Sequence, residues 1–121
     1  TVAEVVRVRL PLRIVSVANL REHWAKKAAR TKTHRLTAWA ELRASGVTVP
    51  SRDPLRITLT RIAPRKLDTD NLSSGCKAVR DGVADWLGCA DNHPTLTWAY
   101  AQRRGAPKEY AAEVLIERGA P

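Results

Sequence analysis

The chain begins with apolar residues that alternate with arginine. VVRVRL (5–10) has a period of two, which is typical of a strand with one buried face. PLRITLTRI (54–62), TLTWAYAQ (95–102) and YAAEVLIE (110–117) alternate in a similar way. Turn residues in RRGAPKE (103–109) separate the last two stretches, so these strands are predicted to pair as an antiparallel hairpin.

A first helical segment follows the opening strand. It is predicted from about residue 20 to 45, with Gly46 as its C-terminal residue. Asn19 can cap its start, with Glu22 reaching back to the cap. Thr31 and Thr33 weaken the middle of this helix. The predicted apolar stripe consists of Leu20, Trp24, Ala28, Leu36, Trp39 and Leu42.

A second helical segment begins at Leu72. Its apolar residues recur at 72, 76, 79, 83 and 87, and spacings of three and four keep them on one helical face. The order of elements is then β-α-β-α-β-β. This order predicts a single α+β domain over residues 1–121, with a mixed sheet and helices packed on it.

Composition narrows the class of protein. The apolar share of 44% argues against disorder throughout. No apolar run approaches the roughly 18 residues of a membrane span, and TVAEVVRVRL lacks the regions of a signal peptide. The absent initial Met indicates a trimmed or partial N-terminus. Two cysteines, Cys76 and Cys89, form no disulfide framework, so a reducing cytoplasm is expected. A membrane partner and a small-molecule cofactor are not expected.

The positive charge is concentrated in the first half of the chain. Residues 1–66 hold 15 Lys and Arg against 4 Asp and Glu, whereas residues 67–121 hold 6 against 8, which together give +9. Such a field attracts nucleic acid first and acidic lipid second, although a basic protein without such a partner stays an alternative. The first helix and the segment RIAPRK (61–66) are expected to hold the DNA backbone through Arg and Lys. The predicted DNA contacts are Arg21, Lys26, Lys27, Arg30, Lys32, Arg35, Arg65 and Lys66.

An acidic island interrupts this basic chain. If the backbone at Asp68 and Asp70 is extended, both carboxylates point to one side, roughly 6.6 Å apart. Asp91 follows the second helix, and three hard oxygen ligands suit Mg²⁺ or Mn²⁺. Proteins use these cations to hydrolyse phosphodiesters, because the cation polarises the phosphate and activates a water molecule. Lys77 lies about two helical turns from Asp70 and could stabilise charge in the transition state.

A simpler interpretation of the same residues stays open. Asp70 could be only a helix cap, with Asp68 a solvated neighbour. Lys77 and Asp81 could form an ordinary surface ion pair at a spacing of four. From the residues alone, these roles and the metal site are equally open.

The Cys and His residues and the tryptophans are expected to have structural rather than functional roles. Cys76 lies on the apolar stripe and no fourth ligand is evident, which argues against a zinc site with Cys89 and His93. The tryptophans are expected in the core rather than as stacking platforms for bases. They are Trp24, Trp39, Trp86 and Trp98.

The stretch LDTDNLSSGCKAVRDGVADWLGCADN (67–92) resembles the signature of the RusA family of Holliday-junction resolvases. The shared features are D-x-D-N-L, a helix in which lysine is followed four residues later by aspartate, and an acidic loop. SVANLREHW (16–24) also resembles the family's first loop. Two departures occur: SSG places Lys77 three residues later than in the best-known member, and ADNHP replaces an acidic pair.

This resemblance implies a Mg²⁺- or Mn²⁺-dependent endonuclease, of phage or prophage type, that resolves four-way junctions or other branched DNA. Asp68, Asp70 and Asp91 would be the metal ligands, Lys77 the catalytic lysine, and Asn71 a neighbour of the site. Cutting two opposed strands requires two sites, so a symmetric homodimer is expected. The alternatives are a non-catalytic DNA-binding or recombination accessory protein and a basic protein of a phage particle without DNA chemistry.

Overall fold

The computed structural model describes residues 5–16, 24–49 and 54–119. The predicted cap at Asn19 and Glu22 and the predicted DNA contact Arg21 lie outside these ranges. The α+β class and the mixed sheet are confirmed. The elements are β1 (Val5–Leu10), α1 (Trp24–Ala44), β2 (Leu55–Ala63), α2 (Thr69–Gly75), α3 (Lys77–Leu87), β3 (Leu96–Arg104) and β4 (Ala111–Arg118).

The four strands form one sheet in the order β1-β4-β2-β3. β2 pairs in parallel with β3 and antiparallel with β4, so the predicted β3–β4 hairpin is wrong. Residue alternation reports which side chains are buried, and it does not report which strands are neighbours. Gly105 N donates to Ala63 O at 2.9 Å, which places the β3–β4 connection at the end of β2.

The core lies between the sheet and the helices. Val8 and Leu59 both lie opposite Val114 in the register, and all three side chains are buried. Val79 and Val83 of α3 belong to the same core cluster. Because each fully buried aliphatic side chain stabilises the fold by roughly 1.5–3 kcal/mol, this cluster fixes α3 on the sheet.

α1 packs through its C-terminal half, where Leu42 of the predicted stripe is buried. Leu20 of that stripe lies outside the described residues. The buried residues of α1 are His34, Ala38 and Leu42, four apart, whereas Trp24 and Leu36 are 76% and 53% exposed. The expectation that Trp24 lies in the core is therefore wrong. At 21 residues α1 is the longest helix among the described residues. No helix in that part of the chain is both long and apolar enough to cross a membrane.

Gly82 allows α1 and α3 to approach closely. A Cβ at this position would collide with the carbonyl oxygen of Arg35 and lie 2.8 Å from the Cβ of Ala38. Neither neighbour is the flexible end of a long side chain. The absence of a side chain at Gly82 is therefore what sets this helix crossing.

The predicted second helix is divided at Cys76, which ends α2 and precedes α3. Cys76 is buried, as its place on the apolar stripe predicted, and burial raises the pKa of its thiol to about 12. A Cβ on Gly75 would lie 2.7 Å from the carbonyl oxygen of Val15. The Ser-Ser-Gly residues therefore complete α2 and let the segment after β1 pass close to it.

Candidate functional site

Asp68 and Asp70 have different backbone conformations at the start of α2. Asp68 is extended, with φ −70° and ψ 166°. Its Oδ1 accepts from Asn71 N at 2.9 Å and its Oδ2 from Asn71 Nδ2 at 3.0 Å. Asp70 lies in the first helical turn and is exposed. The predicted extended pair is therefore wrong: Asp68, rather than Asp70, is the cap.

Lys77 joins α3 to the loop that follows it. Its Nζ donates to Asp91 Oδ2 at 2.8 Å and to Asp81 Oδ1 at 2.9 Å. The hydrogen bond to Asp91 raises the pKa of Lys77, with Asp81 adding to the effect. The same bond lowers the pKa of the Asp91 carboxyl. Both groups are charged at neutral pH, so Lys77 provides a fixed positive charge rather than a proton acceptor.

Arg80 holds the Asp91 loop in place. Its Nε lies 2.9 Å from Asp91 Oδ2, its Nη1 donates to Tyr100 Oη at 2.9 Å, and its guanidinium stacks over the Trp98 ring. Trp98 Nε1 donates to the Asp91 carbonyl at 2.7 Å. No motif in the sequence marked Arg80, Trp98 or Tyr100 as part of the site. A spacing of three from Lys77 could have indicated Arg80, whereas no local signal indicates Trp98 or Tyr100.

The predicted metal ligands fit Mg²⁺ or Mn²⁺ in their chemistry, because both cations prefer carboxylate oxygens. Within residues 5–16, 24–49 and 54–119, however, no group of three or more His, Cys, Asp or Glu is placed to hold a metal ion. The oxygens of Asp68 accept from Asn71, and Oδ2 of Asp91 accepts from Lys77. Metal binding by Asp68, Asp70 and Asp91 therefore stays a prediction.

A basic cavity of about 260 Å³ lies between α1 and the α2–α3 junction. Its lining includes Lys27 and Arg30 from α1 and Lys77 from α3. Lys77 therefore lies between the carboxylates of Asp81 and Asp91 and a cavity with two further cations. His34 also lines the cavity, and its pKa is lowered by burial first and by Arg30 second, which favours the neutral imidazole.

The remaining predicted DNA contacts on α1 differ in their surroundings. Arg35 forms a two-pronged ion pair with Asp85 on α3, at 2.6 and 2.8 Å, so it also links the two helices. Lys32 lines a shallow groove beside the exposed Trp24. Lys26 is exposed.

Arg65 and Lys66 lie apart from α1, beside a third cavity where β2 and β3 end. A basic surface therefore flanks the candidate site on two sides, one formed by α1 and one by the sheet.

The comparisons with known proteins add no relative. No protein-family model matches the chain, and no curated protein matches it. The resemblance of residues 67–92 to the RusA signature therefore stays a prediction that rests on those residues alone.

Proposed function

We propose that the chain is a RusA-like, divalent-metal-dependent endonuclease that hydrolyses phosphodiester bonds in four-way junctions or other branched DNA. The observation that carries this proposal is the position of Lys77. Its ammonium contacts Asp91 and Asp81, and it also lines the basic cavity with Lys27 and Arg30. A phosphate bound in that cavity would lie beside the carboxylates.

The basic cavity and α1 would bind the DNA backbone. Contacts from Lys27, Arg30 and Lys32 to phosphates are tolerant of sequence and weaken with salt. The exposed indole of Trp24 beside Lys32 would stack on an unpaired base, since aromatic side chains accept any base face. Together these contacts favour branched DNA, in which several duplex backbones converge and a base that opens at the branch point can stack on Trp24.

Asp68, Asp70 and Asp91 would hold the cation. A bound Mg²⁺ or Mn²⁺ supplies polarisation of the phosphate and activation of a water molecule. Lys77 would keep its proton and place its charge beside the phosphate, where negative charge increases in the transition state. An incoming phosphate competes with Asp81 and Asp91 for this ammonium, and Arg80 keeps the Asp91 loop in place during the exchange.

Two further features belong to the proposal. Two opposed strands of a junction require two active sites, which favours a symmetric homodimer. A reducing cytoplasm is proposed because both Cys76 and Cys89 are free thiols.

A second candidate is a DNA-binding protein without catalysis. It is favoured by the ion pairs of Asp91 with Lys77 and Arg80, which occupy one oxygen of a carboxylate that a metal ion would need. Binding needs only the Arg and Lys residues around the cavity, whereas cleavage also needs the carboxylates.

A cleavage assay on a synthetic four-way junction with Mg²⁺ or Mn²⁺ tests the proposal. We expect the unaltered protein to cut and Asp70→Asn to cut about 100-fold more slowly or worse, because Asp70 is exposed and its change leaves the core intact. Glu117→Gln removes the same charge at the far end of β4 and is the matched control. A protein that binds the junction tightly and leaves it uncut supports the second candidate. A protein that neither binds nor cuts the junction contradicts both candidates.

A further inference from the structure

A cavity of about 300 Å³ lies where β2 and β3 end. Five of its eight lining residues are cationic and none is acidic. We call these five the arginine pocket: Arg61, Arg65, Lys66, Arg103 and Arg104. The segment RIAPRK (61–66), with Arg61, Arg65 and Lys66, was predicted to contact DNA, whereas Arg103 and Arg104 were not predicted, because the pocket forms only when β2 and β3 pair.

Arg61 is the buried member of this pocket. It follows Leu59 on the inner face of β2, opposite Ala112 in the register, and is 6% exposed. Its Nε donates to Ile14 O at 2.9 Å and its Nη1 to Arg65 O. Both acceptors are neutral, and within the part of the chain that the structure describes no carboxylate forms an ion pair with Arg61.

An unpaired buried cation is costly, and like charges around it raise the cost. Burial is the main cause that lowers the pKa of Arg61. Arg103 has one ion pair, with Glu113 at 3.6 Å. No ion pair involves Arg65, Lys66 or Arg104 in residues 5–16, 24–49 and 54–119. An anion in the pocket would supply the missing negative charge.

The pocket is rigidly joined to the candidate site. Gln102 on β3 accepts from Leu67 N at 2.8 Å and donates to Leu67 O at 2.7 Å. Leu67 is the one residue between Lys66 of the pocket and Asp68. Two residue steps therefore separate Lys66 from Asp68, which is at most about 7 Å of backbone. A nucleic-acid strand that passes Asp68 would also meet the pocket.

We propose that the arginine pocket binds a backbone phosphate of the nucleic-acid strand next to the candidate active site, an inference that rests on the proposed function. Guanidinium groups bind phosphate oxygens in two-pronged geometry. Arg65, Lys66 and Arg104 are exposed at its rim, which leaves room for the strand to continue on both sides. The ligand is therefore a phosphodiester within a chain rather than an enclosed free anion.

Junction binding without cleavage tests this proposal. The pocket variant is Arg65→Ala with Arg104→Ala, which spares the buried Arg61. The matched control is Arg56→Ala with Arg118→Ala, which removes the same charge from two exposed residues at the opposite end of the sheet. Affinity for a four-way junction is measured by fluorescence anisotropy in EDTA at several salt concentrations, and circular dichroism checks the fold of each variant.

We expect the pocket variant to bind about tenfold more weakly than the unaltered protein or worse. The slope of log affinity against log salt should fall by about 1 to 2, whereas the control variant should lose less than about threefold. Equal losses in both variants would show a diffuse field and overturn the proposal. Unchanged binding by the pocket variant would overturn it as well.

Inorganic phosphate separates the two sources of the ligand. Thermal unfolding is followed with phosphate and with chloride at equal ionic strength. If phosphate stabilises the unaltered protein but not the pocket variant, while both bind the junction equally, the pocket takes a free anion and the proposal fails. Because binding is measured in EDTA, a protein that never cleaves would contradict the proposed function and leave this result standing.

Discussion

Lys77 and Arg35 on the helical side of the molecule are paired with carboxylates, whereas Arg103 is the one member of the arginine pocket with an ion pair among the described residues. Lys77 contacts Asp91 and Arg35 contacts Asp85, each within 3 Å. In the pocket, the buried Arg61 donates only to backbone carbonyls among the described residues. A net charge of +9 therefore does not locate a binding surface by itself, because the pairing of each cation decides its availability.

This difference assigns different tasks to the two regions. A paired cation positions another element and yields to a phosphate only when the phosphate displaces a carboxylate. An unpaired cation binds an anion at once. The pocket would therefore capture the strand, and the paired cations Lys77 and Arg35 would position the elements of the candidate site.

The largest expected effect comes from breaking the pairing on the helical side. Asp91→Asn removes the negative charge that Lys77 and Arg80 contact and weakens one proposed metal ligand. We expect cleavage of the junction to slow about 100-fold or more, while affinity for DNA stays equal or rises because one negative charge is lost. Single-turnover cleavage and anisotropy measure the two quantities separately. Undiminished cleavage would exclude Asp91 from the chemistry.

The close helix crossing gives the next effect, on stability. Gly82→Ala should lower the free energy of unfolding by roughly 3 kcal/mol, since the added Cβ meets rigid backbone of α1 and the helix-propensity gain of about 1 kcal/mol is smaller. Gly46→Ala is the control, because its Cβ has open space but its φ is +68°, which costs roughly 1 kcal/mol. Urea unfolding measures both; a smaller loss at Gly82 than at Gly46 would show that α1 can move away.

A smaller effect concerns pH and His34. The pKa of His34 is lowered from 6.5 in the fold, so the unfolded chain binds more protons as the pH falls below about 6.5. The protein should lose stability there. The carboxyl pKa values that ion pairs depress, at Asp85 and Asp91, act only at more acidic pH. Between pH 8 and pH 5 the melting temperature should fall less for His34→Gln than for the unaltered protein. An equal fall in both proteins would show that His34 does not cause the loss of stability.

The smallest expected effect concerns the exposed link between the helices. The side chains of Arg35 and Asp85 are 51% and 40% exposed, so solvent and salt screen their attraction. A double-mutant cycle with Arg35→Ala and Asp85→Ala should show weak coupling that vanishes in 1 M salt. Strong coupling that persists in high salt would mean that this pair, and not Gly82, sets the helix crossing.

The sequence predicted local structure well because local periodicity records burial. β1 has the predicted range, Val5–Leu10, and the other strands differ from prediction by one or two residues at each end. The pairing of β3 with β2 depends on contacts between distant segments, which no alternation contains. Trp24 was misplaced for a related reason: a helical stripe predicts burial only where a partner element lies.

The geometry of the candidate site was predictable only where it depends on neighbouring stretches of the chain. The sequence placed Lys77 and Asp91 in one site, and the structure brings them within 2.8 Å. A capping aspartate was predicted, but it was assigned to Asp70 rather than Asp68, because sequence patterns locate the end of an extended segment only to within about two residues. Arg61 reads as one more arginine in an alternating strand, and its burial follows only from the sheet order.

Lys77 is proposed to act in the chemical step, whereas its neighbours in the basic cavity are proposed to bind DNA. Single-turnover cleavage of a four-way junction by Lys77→Gln and Lys27→Gln, at saturating protein and in Mg²⁺, tests this proposal most directly. We predict that Lys77→Gln stays about 100-fold slower at saturation, whereas Lys27→Gln recovers the full rate once the junction is bound. If saturation restores both variants equally, Lys77 is a binding residue and the proposal is wrong.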